Sequence, residues 1–364
     1  MQTLYFDLRD TKGPQKGVEE KISAAAKILR DGGLLGIPTE TVYGLAANGL
    51  DPAAVKRIFE AKGRPQDNPL ILTIPGQQWL PRYCRDIPPL AYVLARKFWP
   101  GPLTMILKCR TDVVPSVITA GLDTVAMRCP AHPVTAAIIR EAGVPVAAPS
   151  ANTSGRPSPT TADHVWQDMN GRIDMIIDGG PVGIGVESTI VDVSCRIPTV
   201  LRPGAITMEM LREVLGEVKI DPAILGPMGA DVKPKAPGMK YKHYAPKAEL
   251  TLVEPAEGQG EDAAAVERMI LRVNELAKEK LAAGSRVGII CTDESRDRYE
   301  GGLVRSIGAR AKKETVAHNL YAVLREFDDL KVDYIYSESF SEDHLGQAIM
   351  NRLSKAAGYH IERV

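Results

Sequence analysis

Two short polar strings, far apart in the sequence, carry side chains suited to bind a phosphorylated ligand. Lys62 and Arg64 flank a single glycine, and Ser150 and Asn152 flank a single alanine after a later apolar run. Arginine binds phosphate or carboxylate through two parallel hydrogen bonds, whereas lysine acts as a point charge. Short hydroxyl and amide side chains on a tight turn add neutral donors and acceptors. Together the two strings predict an anion pocket built without a glycine-rich phosphate loop.

The helix that would carry Lys62 has signals at both ends. Asp51 followed by Pro52 is typical of an N-cap with proline at the first helical position. Gly63 suits the C-terminal cap. This cap would place Lys62 and Arg64 on either side of one flexible residue, from which both side chains could reach the same ligand.

Arginines and hydroxyl side chains recur at the ends of predicted strands. Arg128 ends an alternating strand that begins at Thr124, with both side chains on one face, and Arg202 ends a later strand. Each residue alone is explained more simply as a solvated cation or a capping hydroxyl, but the group favours a shared anion pocket. Ser150 lies in no GxSxG motif, so the hydroxyls are predicted to position a ligand rather than attack it. The hydroxyls at element ends are Thr39, Thr41, Thr73, Thr124, Ser150, Ser158 and Ser188.

Charge and composition limit the possible functions. The 45 Lys and Arg balance 45 Asp and Glu, with 29 cations against 24 acids before residue 248 and 16 against 21 from there on. The basic first part carries Lys62 and Arg64 and suits an anionic ligand. Overall neutrality argues against tight nonspecific nucleic-acid binding.

The cysteines and histidines do not indicate a metal site. Five cysteines are scattered without a CxxC pair, and six histidines show no HExxH spacing. No disulfide framework or zinc site is therefore predicted, and any metal is expected to arrive with the substrate. No apolar stretch approaches the roughly 20 residues that span a bilayer, and the N-terminus lacks the layout of a signal peptide. We therefore expect a cytoplasmic protein without membrane association.

Alternating strand-like and helical stretches divide the chain into three parts. Residues 1–218 predict an α/β catalytic domain, residues 219–247 a proline-rich but ordered linker, and residues 248–364 a small parallel α/β domain. The chain has no GxxxxGK[ST] motif and no GxGxxG within a βαβ unit, so neither a P-loop nor a dinucleotide-binding fold is predicted.

Several strings resemble those of two-domain L-threonylcarbamoyladenylate synthases, whose N-terminal domain is YrdC-like. They are PTETVYGL at 38–45, KGR at 62–64 with NPL at 68–70, SAN at 150–152, ESTIVD at 187–192, LRPG at 201–204 and PGMKYKHYAP at 237–246. Each string is short, but the combination is specific, and the resemblance covers nearly the whole chain.

The resemblance implies a fold and a reaction. The fold would be a YrdC-like twisted mixed sheet flanked by helices, followed by a smaller Rossmann-like parallel α/β domain. L-threonine, bicarbonate and ATP, with magnesium, would give threonylcarbamoyl-AMP and pyrophosphate. A downstream transferase would then use this product to modify an adenosine in tRNA, so that tRNA is only an indirect partner.

The resemblance also implies roles for three groups of residues. Those expected to carry catalysis, by holding the phosphates and the reacting carbamate, are Lys62, Arg64, Ser150 and Asn152. Those expected to bind ATP are Arg64, Asn68, Thr124, Ser150, Ser158, Arg202, Tyr241, His243 and Tyr244. Those expected to frame threonine are Thr41, Thr73, Arg128, Ala148 and Ser188. Arg128 would pair with the threonine carboxylate, and the linker tyrosines and histidine would either close over the pocket as a lid or pack between domains for stability alone.

Two other functions stay open at this stage. An RNA-binding module without catalysis would grip RNA with the basic first part, but it would need a broad Lys/Arg stripe or stacking aromatics, and aromatics make up only 5% of the chain. A related carbamoyltransferase-type domain, acting on carbamoyl phosphate, would share the fold but is normally joined to further modules.

Overall fold

The computed structural model describes residues 2–9, 17–224, 226, 234–237, 243–256 and 262–364. The chain divides into two compact units. The first spans Met1–Ser154, Ser158–Gly183 and Glu187–Tyr241, and the second spans Gly155–Pro157, Ile184–Val186 and Lys242–Val364. Part of the predicted linker, Tyr241 included, lies outside the described residues.

The first unit contains a large sheet and its helices. Its strands are β1 (Leu4–Asp7), β2 (Leu35–Ile37), β3 (Gly44–Asn48), β4 (Ile71–Thr73), β5 (Leu103–Lys108), β6 (Thr124–Arg128), β7 (Val146–Ala147), β8 (Met175–Asp178), β9 (Thr189–Asp192), β10 (Thr199–Arg202) and β11 (Lys219–Ile220). Its helices are α1 (Val18–Arg30), α2 (Pro52–Lys62), α3 (Leu80–Tyr83), α4 (Pro89–Phe98), α5 (Ser116–Thr119), α6 (Pro133–Ala142), α7 (Ala162–Met169) and α8 (Met208–Leu215), with 3₁₀ turns at Gln77–Trp79 and Pro222–Ile224.

The strands form one mixed sheet in the order β1-β8-β2-β3-β7-β4-β6-β5-β9-β10-β11. For example, β4 pairs parallel with β6 but antiparallel with β7. The predicted mixed sheet is confirmed. The polar string 39–45, which its composition predicts to be a turn after a strand, is a turn only in its first part, because its last two residues begin β3, which pairs antiparallel with β2.

Helix α2 has the predicted caps. The Asp51 side chain accepts a hydrogen bond from the amide of Ala53, and Pro52 occupies the first turn. Gly63 caps the other end with a φ of 63°, a left-handed conformation that glycine adopts without a side-chain clash. The caps fix the residue at which α2 ends, and therefore the direction in which the chain continues into the site.

The two faces of the sheet are covered differently. Paired residues on neighbouring strands share a face, since side chains alternate along each strand. On one face, residues of α2, α4, α7 and α8 join the largest core cluster. On the other, α1 and α6 cover the β8-β2-β3-β7 region. Further along this second face lies a small apolar cluster, none of whose members belongs to an α-helix: Ile71, Ile106, Ala126, Ile190, Leu201 and Ala236.

The second unit is a smaller parallel α/β structure. Its strands are β12 (Glu249–Glu254), β13 (Val287–Cys291), β14 (Leu303–Ser306), β15 (Tyr334–Glu338) and β16 (Ile361–Arg363), and its helices are α9 (Ala263–Ala282), α10 (Lys313–Asp329) and α11 (Gly346–Ala356), with a 3₁₀ turn at Arg296–Arg298. The sheet order is β14-β13-β15-β12-β16, and its pairs are parallel. The predicted Rossmann-like parallel domain is confirmed.

The short segment Gly155–Pro157 is bound within this second unit. The Arg325 guanidinium donates to the carbonyl of Pro157 at 2.7 Å, and Arg156 pairs with the buried carboxylate of Asp328 at 3.3 Å. Asp328 also accepts a hydrogen bond from the Lys247 amide at 2.7 Å.

The N-cap of α2 provides a stability test. We expect Asp51→Ala to lower the free energy of unfolding by about 1 kcal/mol, because an amide in the first turn loses its acceptor. Asp51→Ser keeps a capping oxygen and is the matched control. Denaturant titration of both variants measures the difference, and equal stability of Asp51→Ala and the parent chain would contradict the capping role.

Candidate functional site

The two polar strings come together through the Lys62 side chain. Lys62 is buried at the end of α2, and its ammonium group donates to the carbonyl of Asn152 at 2.5 Å and also to the carbonyl of Ser150. The backbone carbonyl of Lys62 accepts from the Ser154 amide at 2.8 Å. The Asn152 side chain donates to the carbonyl of Thr153 at 2.8 Å. The lysine charge therefore holds the turn that presents Ser150.

Arg64 lies just beyond the helix cap, beside the segment that leads into β4. Its guanidinium donates to the carbonyls of Pro69 at 3.2 Å and Asn68 at 3.5 Å. Asn68 is buried, and its side-chain oxygen has no hydrogen-bond partner among the described residues. A buried acceptor of this kind needs a donor to offset its loss of hydration. Arg64 and Asn68 thus place a charge and an acceptor close together.

Arg128 is a buried, hydrogen-bonded cation on the sheet face that carries the small apolar cluster. It is 8% exposed, and one terminal nitrogen, Nη2, lies 2.8 Å from a carboxylate oxygen of Glu40 and 2.8 Å from the Thr41 hydroxyl. The Thr41 hydroxyl is in turn 3.0 Å from that of Thr39. The Nε–H of Arg128 is buried and has no partner in the described part of the chain. Because Nη2 is already engaged by Glu40 and Thr41, Nε–H can donate one further hydrogen bond, to an anion.

A second arginine network lies further along the same sheet. Arg202 Nη2 donates to the Ser188 hydroxyl at 3.2 Å, and its Nε donates to the Ser188 carbonyl at 3.1 Å. The Ser188 hydroxyl is also 2.8 Å from that of Thr104. Arg202 Nη1 lies 3.4 Å from the carbonyl of Pro237. Arg202 therefore ties the end of β10 to the start of β9.

Strand register places two predicted threonines, Thr73 and Thr124, and the unpredicted Thr104 on the face of Arg128. Thr73 and Thr104 are the partners of Arg128 on the neighbouring strands β4 and β5. Thr124 lies four residues before Arg128 on β6 and so on the same face. Ala148 follows β7, and its amide donates to the carbonyl of Ile71 at 3.2 Å. The predicted threonine-framing residues therefore converge on this face, apart from Thr41, which reaches Arg128 from the turn between β2 and β3.

Ser158 forms a hydrogen bond with an acidic residue that was not among the predicted site residues. Its hydroxyl donates to Glu187 at 2.6 Å, and both residues are buried. Glu40, Glu187 and Thr104 are the contacting residues missed at the sequence level. Glu40 and Glu187 directly precede Thr41 and Ser188, which were predicted as site residues, so their position in the sequence could have indicated them. Thr104 lies within a strand, and nothing in its sequence context distinguishes it from an ordinary strand residue.

The linker residues His243 and Tyr244 belong to the second unit. Tyr244 is buried, with its ring 5.3 Å from that of Tyr321 and 5.4 Å from that of His243. The Arg352 guanidinium lies 5.8 Å from the Tyr244 ring centre. Tyr241 is outside the described residues. The lid role and the ATP contacts of these three residues stay predictions.

The thiol near the site is unsuited to nucleophilic catalysis. Burial raises the pKa of Cys129 to about 11, so the thiol is protonated near neutral pH and is a poor nucleophile. In the part of the chain that the structure describes, no three His, Cys, Asp or Glu side chains gather closely enough to hold a metal ion. No described helix combines the length and apolar character needed to cross a membrane. The site thus offers cations, hydroxyls and amides, whose chemistry suits binding and orienting a ligand.

The contacts of Lys62 lead to a prediction. Lys62→Met keeps the length and apolar stem of the side chain but removes the charged donor from two carbonyls. We expect the free energy of unfolding to fall by roughly 2 kcal/mol. Lys56→Met on the same helix is the matched control, because Lys56 is exposed. Chemical denaturation compares the variants, and an equal effect of both substitutions would contradict the structural role of Lys62.

Comparison with known proteins matches two family models to successive parts of the chain. A family model described as "Telomere recombination", covering Sua5, YciO and YrdC proteins, matches residues 27–204. A second model, described as "Threonylcarbamoyl-AMP synthase, C-terminal domain", matches residues 206–358.

Individual relatives extend the match to nearly the whole chain. A threonylcarbamoyl-AMP synthase of Bacillus subtilis is 48% identical over 95% of each chain. One of Pyrococcus abyssi is 47% identical over 95% of this chain and 96% of the relative. The crystal structure of P. abyssi Sua5 complexed with L-threonine superimposes with a TM-score of 0.89 over the full length of both chains, at 45% identity. This chain therefore belongs to the threonylcarbamoyl-AMP synthase family.

Proposed function

We propose that this chain forms threonylcarbamoyl-AMP and pyrophosphate from L-threonine, bicarbonate and ATP. The names of its relatives support the synthase activity, and the solved P. abyssi relative was crystallised with L-threonine. The observation that carries the proposal is the buried guanidinium of Arg128, whose Nε–H has no partner among the described residues and is suited to a small carboxylate.

The proposed chemistry needs positioning more than covalent catalysis. An oxygen of the carbamate group on the threonine nitrogen attacks the α-phosphorus of ATP, the bond from that phosphorus to the bridging oxygen of the β-phosphate breaks, and pyrophosphate leaves. Because the carbamate decomposes readily in water, the two reactants must be held close together and shielded. Fixed cations can offset the charge that develops on the transferring phosphoryl group.

We assign the threonine side of the site to the sheet face around Arg128. The threonine carboxylate would take the Nε–H of Arg128. The hydroxyls of Thr41, Thr73 and Ser188 would surround the rest of the molecule, with Ala148 as an apolar wall. Because Thr41 and Ser188 are already held by arginines, their oxygens would be oriented before the ligand arrives.

We assign the nucleotide side to the residues around the Lys62 turn and to Arg202. Arg64 would contact phosphate, and the buried oxygen of Asn68 would accept a nucleotide donor. Lys62 would act by holding the turn that carries Ser150 and Asn152. The other proposed ATP contacts are Thr124, Ser158, Arg202, Tyr241, His243 and Tyr244.

Magnesium and the downstream steps are also part of the proposal. Magnesium would enter as the Mg·ATP complex, since Mg²⁺ is commonly bound through substrate phosphates rather than by a protein cage. A separate transferase would carry the threonylcarbamoyl group to tRNA. An RNA-binding module without catalysis is not favoured, because relatives over nearly the full length of the chain are named as synthases.

Substrate omission tests the reaction. With Mg·ATP present, we expect pyrophosphate release to require both L-threonine and bicarbonate, and threonylcarbamoyl-AMP to be detected by mass spectrometry. Carbamoyl phosphate in place of bicarbonate tests the carbamoyltransferase alternative. Release without threonine, or no release, would contradict the proposed function.

Arg64 tests the nucleotide side. We expect Arg64→Ala to lower kcat/KM for ATP by roughly 100-fold, because a fixed charge on the phosphates is lost, while the unfolding transition stays close to that of the parent chain. Arg110→Ala removes a partly exposed arginine that pairs with Asp112 and is the control. Full activity of a folded Arg64→Ala protein would refute the assignment of Arg64.

A further inference from the structure

Glu40 is hydrogen-bonded to Arg128, and the proposed threonine and nucleotide contacts do not include it. Its Oε1 accepts from Arg128 Nη2 at 2.8 Å, and its Oε2 accepts from the Ala131 amide at 3.0 Å. The carboxylate is therefore held from two directions. Its side chain is 16% exposed and that of Arg128 is 10% exposed, so water competes little with the pair but still reaches Glu40.

The position of Glu40 matters because threonine has two charged groups close together. The α-amino nitrogen is two bonds away from the carboxyl carbon. If the carboxylate takes the Nε–H of Arg128, the ammonium group lies near the Glu40 carboxylate, which is bonded to the same guanidinium. An arginine beside a glutamate can therefore bind a free amino acid, the arginine through its carboxylate and the glutamate through its ammonium group.

The reaction also creates a need for a proton acceptor. At neutral pH the amino group of threonine is protonated, and an ammonium has no lone pair with which to attack bicarbonate. Besides Arg128, the described titratable groups Cys129 and His132 interact electrostatically with Glu40. Burial raises the pKa of Cys129, so its thiol stays protonated and is no proton acceptor. Burial lowers the pKa of His132, so its imidazole tends to stay uncharged and adds no cation that would compete for the Glu40 carboxylate.

We propose that Glu40 is a catalytic residue that binds the ammonium group of threonine and accepts its proton as the carbamate forms. This inference rests on the proposed function. Glu40 takes one proton, and the nitrogen lone pair attacks the carbon of bicarbonate. The carbon–hydroxyl bond breaks, and the hydroxide takes the second nitrogen proton and leaves as water. Glu40 then releases its proton to solvent, so threonine and bicarbonate give the carbamate, one water and one proton.

The substitution Glu40→Gln tests proton acceptance by Glu40 separately from its contact with Arg128. Glutamine keeps an oxygen that can accept from Arg128 or Ala131, but it accepts no proton. We expect forward synthesis from threonine and bicarbonate to fall by roughly 100-fold. The reverse reaction, ATP formation from threonylcarbamoyl-AMP and pyrophosphate, releases the carbamate and needs no deprotonated amine, so its rate should stay within about threefold of the parent rate.

Solution chemistry provides a second readout. At alkaline pH with excess bicarbonate, threonine carbamate forms without an enzyme, so the forward rate of Glu40→Gln should recover towards that of the parent chain. Glu20→Gln, which changes an exposed acid of α1, is the matched control and should match the parent throughout.

The outcomes distinguish proton acceptance by Glu40 from a role limited to orienting Arg128. A forward-only loss that alkaline bicarbonate rescues supports proton acceptance by Glu40. Equal losses in both directions would mean that Glu40 only orients Arg128, and no loss would mean that it is dispensable, so either result overturns the inference. If the parent chain itself forms no threonylcarbamoyl-AMP, the proposed function fails instead, whatever Glu40 does.

Discussion

The burial of the Arg128 guanidinium is the constraint on which the candidate site depends. A charge removed from water destabilises the fold unless hydrogen bonds and an opposite charge compensate for it. Glu40 and Thr41 provide that compensation from the turn between β2 and β3, whereas Arg128 itself ends β6. The pair therefore ties a turn to a strand that lies several positions away in the sheet. The Nε–H that remains buried without a partner among the described residues is where a ligand would complete the compensation.

Two other cations organise the surrounding loops in the same way. Lys62 gathers the carbonyls of a turn that begins 88 residues later in the chain, and Arg202 fixes the backbone and side chain of Ser188. In both cases a charged side chain that could bind a ligand forms hydrogen bonds with groups of the protein itself. The benefit is preorganisation: hydroxyls and amides held in place before binding lose little entropy when a ligand arrives.

Sequence patterns predicted the local features of this structure. The Asp51 cap, the Gly63 terminus and the alternating strand Thr124–Arg128 all follow from short-range rules, because capping and alternation depend on residues a few positions apart. The mixed first sheet and the parallel second sheet were predicted as classes. The exact strand order was not, because it depends on pairings between segments more than a hundred residues apart, such as β1 with β8.

The sequence by itself determined which residue types are available: the cations, hydroxyls and amides that suit a small anionic substrate. Tertiary structure decided how they are used. Lys62 contacts carbonyls of its own chain, Glu40 becomes the partner of Arg128, and Thr104 joins Ser188. These contacts depend on strand register, which decides the sheet face on which each side chain lies. A one-residue shift in register would turn Thr73 and Thr104 away from Arg128, and no local pattern in the sequence fixes that register.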